Sequence, residues 1–275
     1  MSDSNRFGSY NILIPRPDKK EKGHLWENRK EELIQTIINN TDVIGLQEYD
    51  TSSAFDQGKY VEEELFSRGW QGYLPQYDES SEFTDDFHHR LPIFWREDIF
   101  TKANCGIFKL SGFSLMEQYA TPIVEDRYCS WVDLVEKVSG KQVRVYNLHQ
   151  QHHTVTASSA EKTMAYKKQY DGLVNLSSHI KQVEGNVIVL GDFNNIDIPS
   201  WFIHNTGLVE AWDKVTSDFA FNKQFNSFHN WLVPLNEESE HIDHILVSPS
   251  VEVSRVEIVL SDASDHHPLV ATVSL

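Results

Sequence analysis

The chain has 275 residues, 40% of them apolar, enough to build one large hydrophobic core. Its 41 acidic residues outweigh 24 basic ones, and the formal charge of −17 argues against tight binding to long duplex nucleic acid, which needs Lys and Arg to neutralise phosphates. Cys105 and Cys129 build no disulfide framework, the N-terminus has no apolar signal region, and no apolar run reaches the roughly 18 residues of a membrane span, so a soluble cytoplasmic protein is expected.

No linker, repeat or low-complexity tract divides the sequence, so residues 1–275 are expected to form one domain. Phe7 to Ile14 reads as a first strand, stopped by Pro15 and Pro17. Asn11 is a poor strand former within it and by itself suggests an edge position. After a charged loop over residues 16–23, Trp26 to Asn40 places Leu33, Ile34, Ile37 and Ile38 on one helical face. Val43 to Glu48 is a second strand, ending in a carboxylate. Lys59 to Arg68 reads as helix and Trp70 to Leu74 as extended. Residues 78–89 hold five carboxylates and are expected to form an exposed loop.

Leu91 to Trp95 and Ile99 to Phe113 read as strands, the second broken at Gly106. Tyr128 to Val138 and Gln142 to His149 then form a hairpin around Ser139-Gly140. In its second arm Val143, Val145, Asn147 and His149 alternate onto one face, and the two valines mark that face as inward. Ser158 to Val183 is an amphipathic helix with Leu173, Leu176, Ile180 and Val183 in register, followed by Gly185.

Val187-Ile188-Val189-Leu190 is apolar throughout, the pattern of a short strand buried on both faces. It delivers Asp192 and Asn194 just past Gly191. Unpartnered polar groups in a core cost several kcal/mol, so a rigid strand ending in them fits the mouth of a cleft. Pro199 to Asn205 opens with proline as a short helix. His241 to Val247 is a strand in which Asp243 shares a face with Ile245 and Val247. Val251 to Leu260 is another strand, and Asp265-His266-His267-Pro268 precedes a last one, Leu269 to Leu275. Strands and helices interleave, which indicates an α/β chain with mixed sheets.

The polar strand ends are Asn11, Glu48, Asn147 with His149, Asp192 with Asn194, Asp243, and Asp265 with His266. Carboxylate and amide oxygens suit a hard cation, Mg2+ or Mn2+, which polarises a phosphoryl oxygen and neutralises developing charge. An imidazole held by a buried carboxylate is the usual way to set a histidine's tautomer and basicity. Together these predict metal-assisted hydrolysis of a phosphate ester.

Leu46-Gln47-Glu48, Gly191-Asp192-Phe193-Asn194, Ile242-Asp243-His244-Ile245-Leu246 and Ser264-Asp265-His266-His267-Pro268 occur in this order, each at a predicted strand end. The set resembles the endonuclease/exonuclease/phosphatase superfamily, the DNase-I-like group, over essentially the whole chain. Ser9-Tyr10-Asn11-Ile12-Leu13 and Tyr146-Asn147-Leu148-His149 look like two further stations. The resemblance implies a four-layered α/β sandwich, two mixed β-sheets face to face with helices outside. It implies Glu48 as principal metal ligand, helped by Asn11 and Asp265, with Asp192 and Asn194 orienting water and holding phosphate beside a possible second ion. His149 and Asn147 would contact phosphate oxygens, and His266 would be oriented by Asp243. The sequence departs from the family's Asn-Thr-His-Leu pattern with Asn147-Leu148-His149-Gln150 and adds His152-His153, read as loop surface.

The start of the chain and Gly69-Trp70-Gln71-Gly72 look like the deadenylase and nocturnin-like branch. The expected substrate is a phosphodiester of a nucleotide or single-stranded nucleic acid, with Trp95, Trp212 and Trp231 as candidate base-stacking groups. A small phosphorylated metabolite, inositol phosphate or phospholipid is the alternative within the same chemistry. A zinc-binding or non-catalytic module built on the thirteen histidines is the alternative of another class. Nothing in the sequence points to a protein partner.

Overall fold

A computed structural model of the chain describes residues 4–15, 24–52, 55–76, 89–111, 126–152, 158–231 and 239–275. Most of the 78–89 stretch, the 16–23 loop and His153 lie outside the described residues. The first part of the chain contributes β1 (Asn5–Asn11), α1 (Trp26–Asn40), β2 (Val43–Gln47), β3 (Tyr49–Asp50), α2 (Gln57–Phe66), β4 (Trp70–Tyr73), β5 (His89–Arg90) and β6 (Ile93–Arg96). The middle adds β7 (Phe100–Ser111), β8 (Arg127–Glu136), β9 (Gln142–His149), α3 (Ser159–Ile180), β10 (Asn186–Asp192) and α4 (Ser200–Thr206). The last part adds β11 (Val209–Glu210), β12 (Ala220–Phe221), β13 (Asp243–Val247), β14 (Glu252–Ile258) and β15 (Leu269–Ser274).

One sheet runs β12-β14-β15-β1-β2-β6-β4 and the other β11-β13-β10-β9-β8-β7, both mixed, with a short β3-β5 pair beside them. The apolar run of β10 splits as its sequence requires. Ile188 and Leu190 join a core built from both sheets, whereas Val187 and Val189 pack outward against Leu173, Leu176 and Ile180 of α3. Leu33, Ile34 and Ile37 of α1 cover the other sheet through Ile44, Leu46 and Phe94. Each fully buried aliphatic side chain stabilises by roughly 1.5–3 kcal/mol, and these three clusters define the layers helix, sheet, sheet, helix. The expected four-layered α/β sandwich of the DNase-I-like type is the observed architecture.

Three local expectations differ from the structure. β1 lies between β15 and β2, so Asn11 ends an interior strand and not an edge. β7 runs unbroken through Gly106, which pairs with Trp131; a Cβ there would meet the Trp131 ring at 2.7 Å, so the glycine accommodates the indole and does not end the strand. α3 stops at Ile180, before Val183, and starts at a capping box in which Ser158 accepts from the Glu161 backbone N–H and the Glu161 carboxylate accepts in return.

Candidate active site

Because β1, β2, β9 and β10 run parallel within their sheets, their carboxyl ends reach the same edge of the sandwich. There the two sheets meet through side chains. Asn11 Nδ2 donates to Asp192 Oδ2 at 3.0 Å and to Glu48 Oε1 at 3.2 Å, joining β1, β10 and the residue after β2. The Glu48 backbone is left-handed at φ 53°, and its other oxygen accepts from Ile14 N at 3.2 Å. An unfavourable conformation held at a strand end is a common feature of ligand-binding sites.

Asp192 Oδ2 is the hub. His149 Nε2 lies 3.5 Å from it and His266 Nε2 3.8 Å. Its other oxygen accepts from Asn194 N at 2.9 Å, an Asx turn that sets Asn194 at φ 49°, and the Asn194 carboxamide donates to Gln150 O at 3.0 Å. Burial, and the Asp243 carboxylate nearby, raise the Asp192 pKa to about 7, against the opposing pull of His266 and the Asn11 and Asn194 hydrogen bonds.

His266 Nδ1 lies 2.8 Å from Asp243 Oδ2, and both residues are buried. Burial alone lowers an imidazole's pKa; here the Asp243 charge and hydrogen bond override it and push His266 up to about 10. Asp243 Oδ1 has no hydrogen-bond partner and no exposure to water. Asp192, Asp243 and His266 thus form a buried group whose donor atoms lie within 4.8 Å of one another. Asp265 is buried beside them, its carboxylate accepting from Ser264 Oγ at 3.3 Å.

Asn147 departs from the expected phosphate contact. It is fully buried, donates to Leu46 O and Pro92 O at 2.9 Å each, and accepts from Gln47 Nε2 at 2.7 Å. Its hydrogen-bonding capacity is spent on stitching the two sheets together, two residues before His149. His152 lies 3.4 Å from Arg127. Trp95 and Trp212 are core residues, only 4% and 5% exposed, which removes them as base-stacking groups. Trp231 is half-buried and stacks on His24, with ring centroids 3.9 Å apart, in a segment whose Asn230 N donates to Asp265 O.

Sequence reasoning missed three supports. Arg29 is buried in α1, and its guanidinium donates to the carbonyls of Ile12, Leu13 and Ala263, tying the end of β1 to the segment before Asp265. Ser227 Oγ accepts from the backbone of Ile242 and Asp243 at 3.1 Å each, fixing the start of β13. Gln47, the neighbour of Glu48, bridges Ser9 and Asn147. Only Gln47 lay within a recognised motif; a lone helical Arg and a loop Ser carry no sequence signal of this kind.

No helix among the described residues is long and apolar enough to cross a membrane. No curated protein matches the chain. Among solved structures, an endonuclease/exonuclease/phosphatase family protein from Bacteroides thetaiotaomicron is 23% identical, with a TM-score of 0.78 over 99% of this chain and 98% of that one. A mannosyl-6-phosphatase from the same organism is 22% identical, with a TM-score of 0.77 over 99% of this chain and 100% of that one. The human nocturnin catalytic domain with bound sulfate is 20% identical, with a TM-score of 0.68 over 98% and 93% of the two chains. The model of the Endonuclease/Exonuclease/phosphatase family matches residues 8–266. With nearly its whole length matched, the chain belongs to that family, whose members are hydrolases of phosphate esters.

Proposed function

We propose that the protein is a Mg2+-dependent (or Mn2+-dependent) phosphoesterase whose substrate is a phosphodiester of a nucleotide or of single-stranded nucleic acid. The observation that carries this reading is the convergence of Asn11, His149 and His266 on Asp192 Oδ2, with Asp243 behind His266. Glu48, Asn11, Asp265 and Asp192 offer oxygens, which fit a hard divalent cation, and Asp192 and Asp243 are buried together with more negative charge than His266 offsets. Glu48, Asn11 and Asp265 would hold the ion from the first sheet, and Asp192 would complete the set from the second. When bound, the ion supplies Lewis-acid polarisation of a phosphoryl oxygen and neutralises charge in the transition state.

The chain's own residues do the rest. Asp192 and Asn194 orient the attacking water. His149 contacts a phosphate oxygen. Asp243 keeps His266 protonated at neutral pH, so its Nε2–H is a donor to the developing phosphate charge rather than an acceptor of the water's proton. The acidic surface favours small or single-stranded substrates over duplex DNA. Trp231, stacked on His24 beside the Asp265 segment, is a platform on which a base or sugar would pack.

A second reading, a phosphatase of a small phosphorylated metabolite, draws support from the fold similarity to the mannosyl-6-phosphatase. One panel separates them. Single-stranded RNA and DNA, duplex DNA, nucleotide cofactors, sugar phosphates and inositol phosphates are incubated with Mg2+, and again with chelator, beside His266→Ala. Metal-dependent release of nucleotides supports the first reading, and release of inorganic phosphate from sugar phosphates the second. Equal turnover by wild type and variant overturns both.

A further inference from the structure

The outer side of β13 carries a donor cluster that the candidate active site does not use. Glu210 ends β11, His241 precedes β13 and His244 lies within it; one donor atom from each falls within 4.8 Å of the other two. Side chains alternate along a strand, so Asp243 and His244 face opposite sides of the sheet. The cluster and the Asp243–His266 pair are neighbours in sequence but separate in space.

His244 is buried, with Nδ1 2.6 Å from Glu210 Oε1 and Nε2 2.8 Å from the Asn195 carbonyl. A carbonyl only accepts, so Nε2 carries the hydrogen and Nδ1 is the nitrogen turned to the cluster. A backbone carbonyl holding the far nitrogen is the usual device for orienting a metal-binding imidazole. His241 supplies the second observation. Its Nδ1 is buried and has no hydrogen-bond partner, while its Nε2 accepts from the Trp212 indole at 3.1 Å. Because Nε2 accepts, Nδ1 carries the ring hydrogen, and leaving that buried N–H without an acceptor is costly.

We propose that Glu210, His241 and His244 form a second metal site, for Zn2+ or a similar borderline transition-metal ion. Two imidazoles and one carboxylate select such an ion over Mg2+, which takes oxygen ligands. Bonds of about 2.0–2.1 Å in a tetrahedron set ligand atoms about 3.3 Å apart, so Glu210 and His244, 2.6 Å apart at their hydrogen bond, have to open by roughly 0.7 Å, within a group whose atoms all lie within 4.8 Å of one another. Glu210, whose side chain is 22% exposed, has room to turn. On binding, the hydrogen between Glu210 and His244 leaves to solvent and the Nε2–H on Asn195 stays. An ion at His241 Nε2 displaces the indole hydrogen; an ion at Nδ1 moves the ring hydrogen onto Nε2, opposite the indole N–H. Either way Trp212 loses its acceptor. The ion would tie β11 and β13 to the segment that follows Asp192.

The test is zinc stoichiometry on the full chain, stripped by chelator and then loaded with Zn2+ in excess Mg2+. Wild type, Glu210→Gln, His241→Ala and Glu48→Gln are compared after gel filtration, with circular dichroism confirming that each is folded. Wild type should retain one more zinc than Glu210→Gln or His241→Ala. Co2+ in place of Zn2+ should give tetrahedral absorption bands in wild type that both cluster variants lose. Equal zinc in wild type and the folded cluster variants, or loss of zinc in Glu48→Gln alone, overturns the proposal. If His241→Ala does not fold, Glu210→Gln decides by the same criteria.

Discussion

Asn11 Nδ2 reaches Asp192 Oδ2 across 3.0 Å, joining two strand ends that are 181 residues apart in the chain and belong to different sheets. The same amide nitrogen also meets Glu48, so one small side chain sets the spacing between two carboxylates. Replacing Asn11 by Ala should weaken Mg2+ binding by about 10–100-fold, the usual effect of losing a group that orients ligands. Isothermal titration with Mg2+ measures it. An unchanged affinity would remove Asn11 from the ion's surroundings.

His266→Ala should lower the turnover number by roughly 10²–10³-fold, the range for removing one donor aimed at developing charge. Asp243→Asn should reproduce part of that loss while leaving His266 in place. Its imidazole should then titrate well below the wild-type value, because the charge that raises it is gone. Histidine NMR across pH reads this directly, and an unmoved titration would separate Asp243 from any role in tuning His266.

The two raised groups set a pH profile. As pH rises, activity should first increase as Asp192 loses its proton, with a midpoint at or below about 7, since a bound cation favours the charged carboxylate. It should fall again as His266 loses its proton on the way to about 10. Stability follows the same sign for His266. Its folded pKa lies above the unfolded value of about 6.5, so the pairing contributes fully below that pH and fades as pH rises towards the folded value. Rate profiles and chemical denaturation at several pH values test the two statements separately.

Arg29→Met should destabilise the fold by about 2–4 kcal/mol, because the buried carbonyls of Ile12, Leu13 and Ala263 lose their donor. Urea denaturation gives the figure. A loss under about 0.5 kcal/mol, the range of ordinary surface changes, would show that water replaces the guanidinium.

Gly45→Ala tests the seam between the sheets. A Cβ at Gly45 would sit 2.8 Å from Asn147 Cγ, and Asn147 is held by three hydrogen bonds that leave it no room to retreat. A cost of about 1–3 kcal/mol is expected, measurable as a lowered thermal midpoint.

Much of the fold follows from local pattern. The unbroken apolar run of β10 required burial on both faces, and the alternation in β9 assigned Val143, Val145 and Asn147 to the inward face; the structure places them so. The motifs around Glu48, Asp192, Asp243 and His266 likewise announced a phosphoesterase family, because each needs only a short stretch of chain to be recognised. What each inward polar group touches is a different kind of fact. Asn147 bonds Leu46 and Pro92, and Arg29 caps the carbonyl of Ala263, a residue 234 positions away. Hydrogen bonds are short and directional, so a group's partner depends on how distant strands register across the sandwich, and periodicity carries no information on that. The sequence by itself determined the layers, the family and the strand ends. Only the tertiary structure decided that Asn147 is spent between the sheets, that Asp192 is the hub, and that Glu210, His241 and His244 come together behind it.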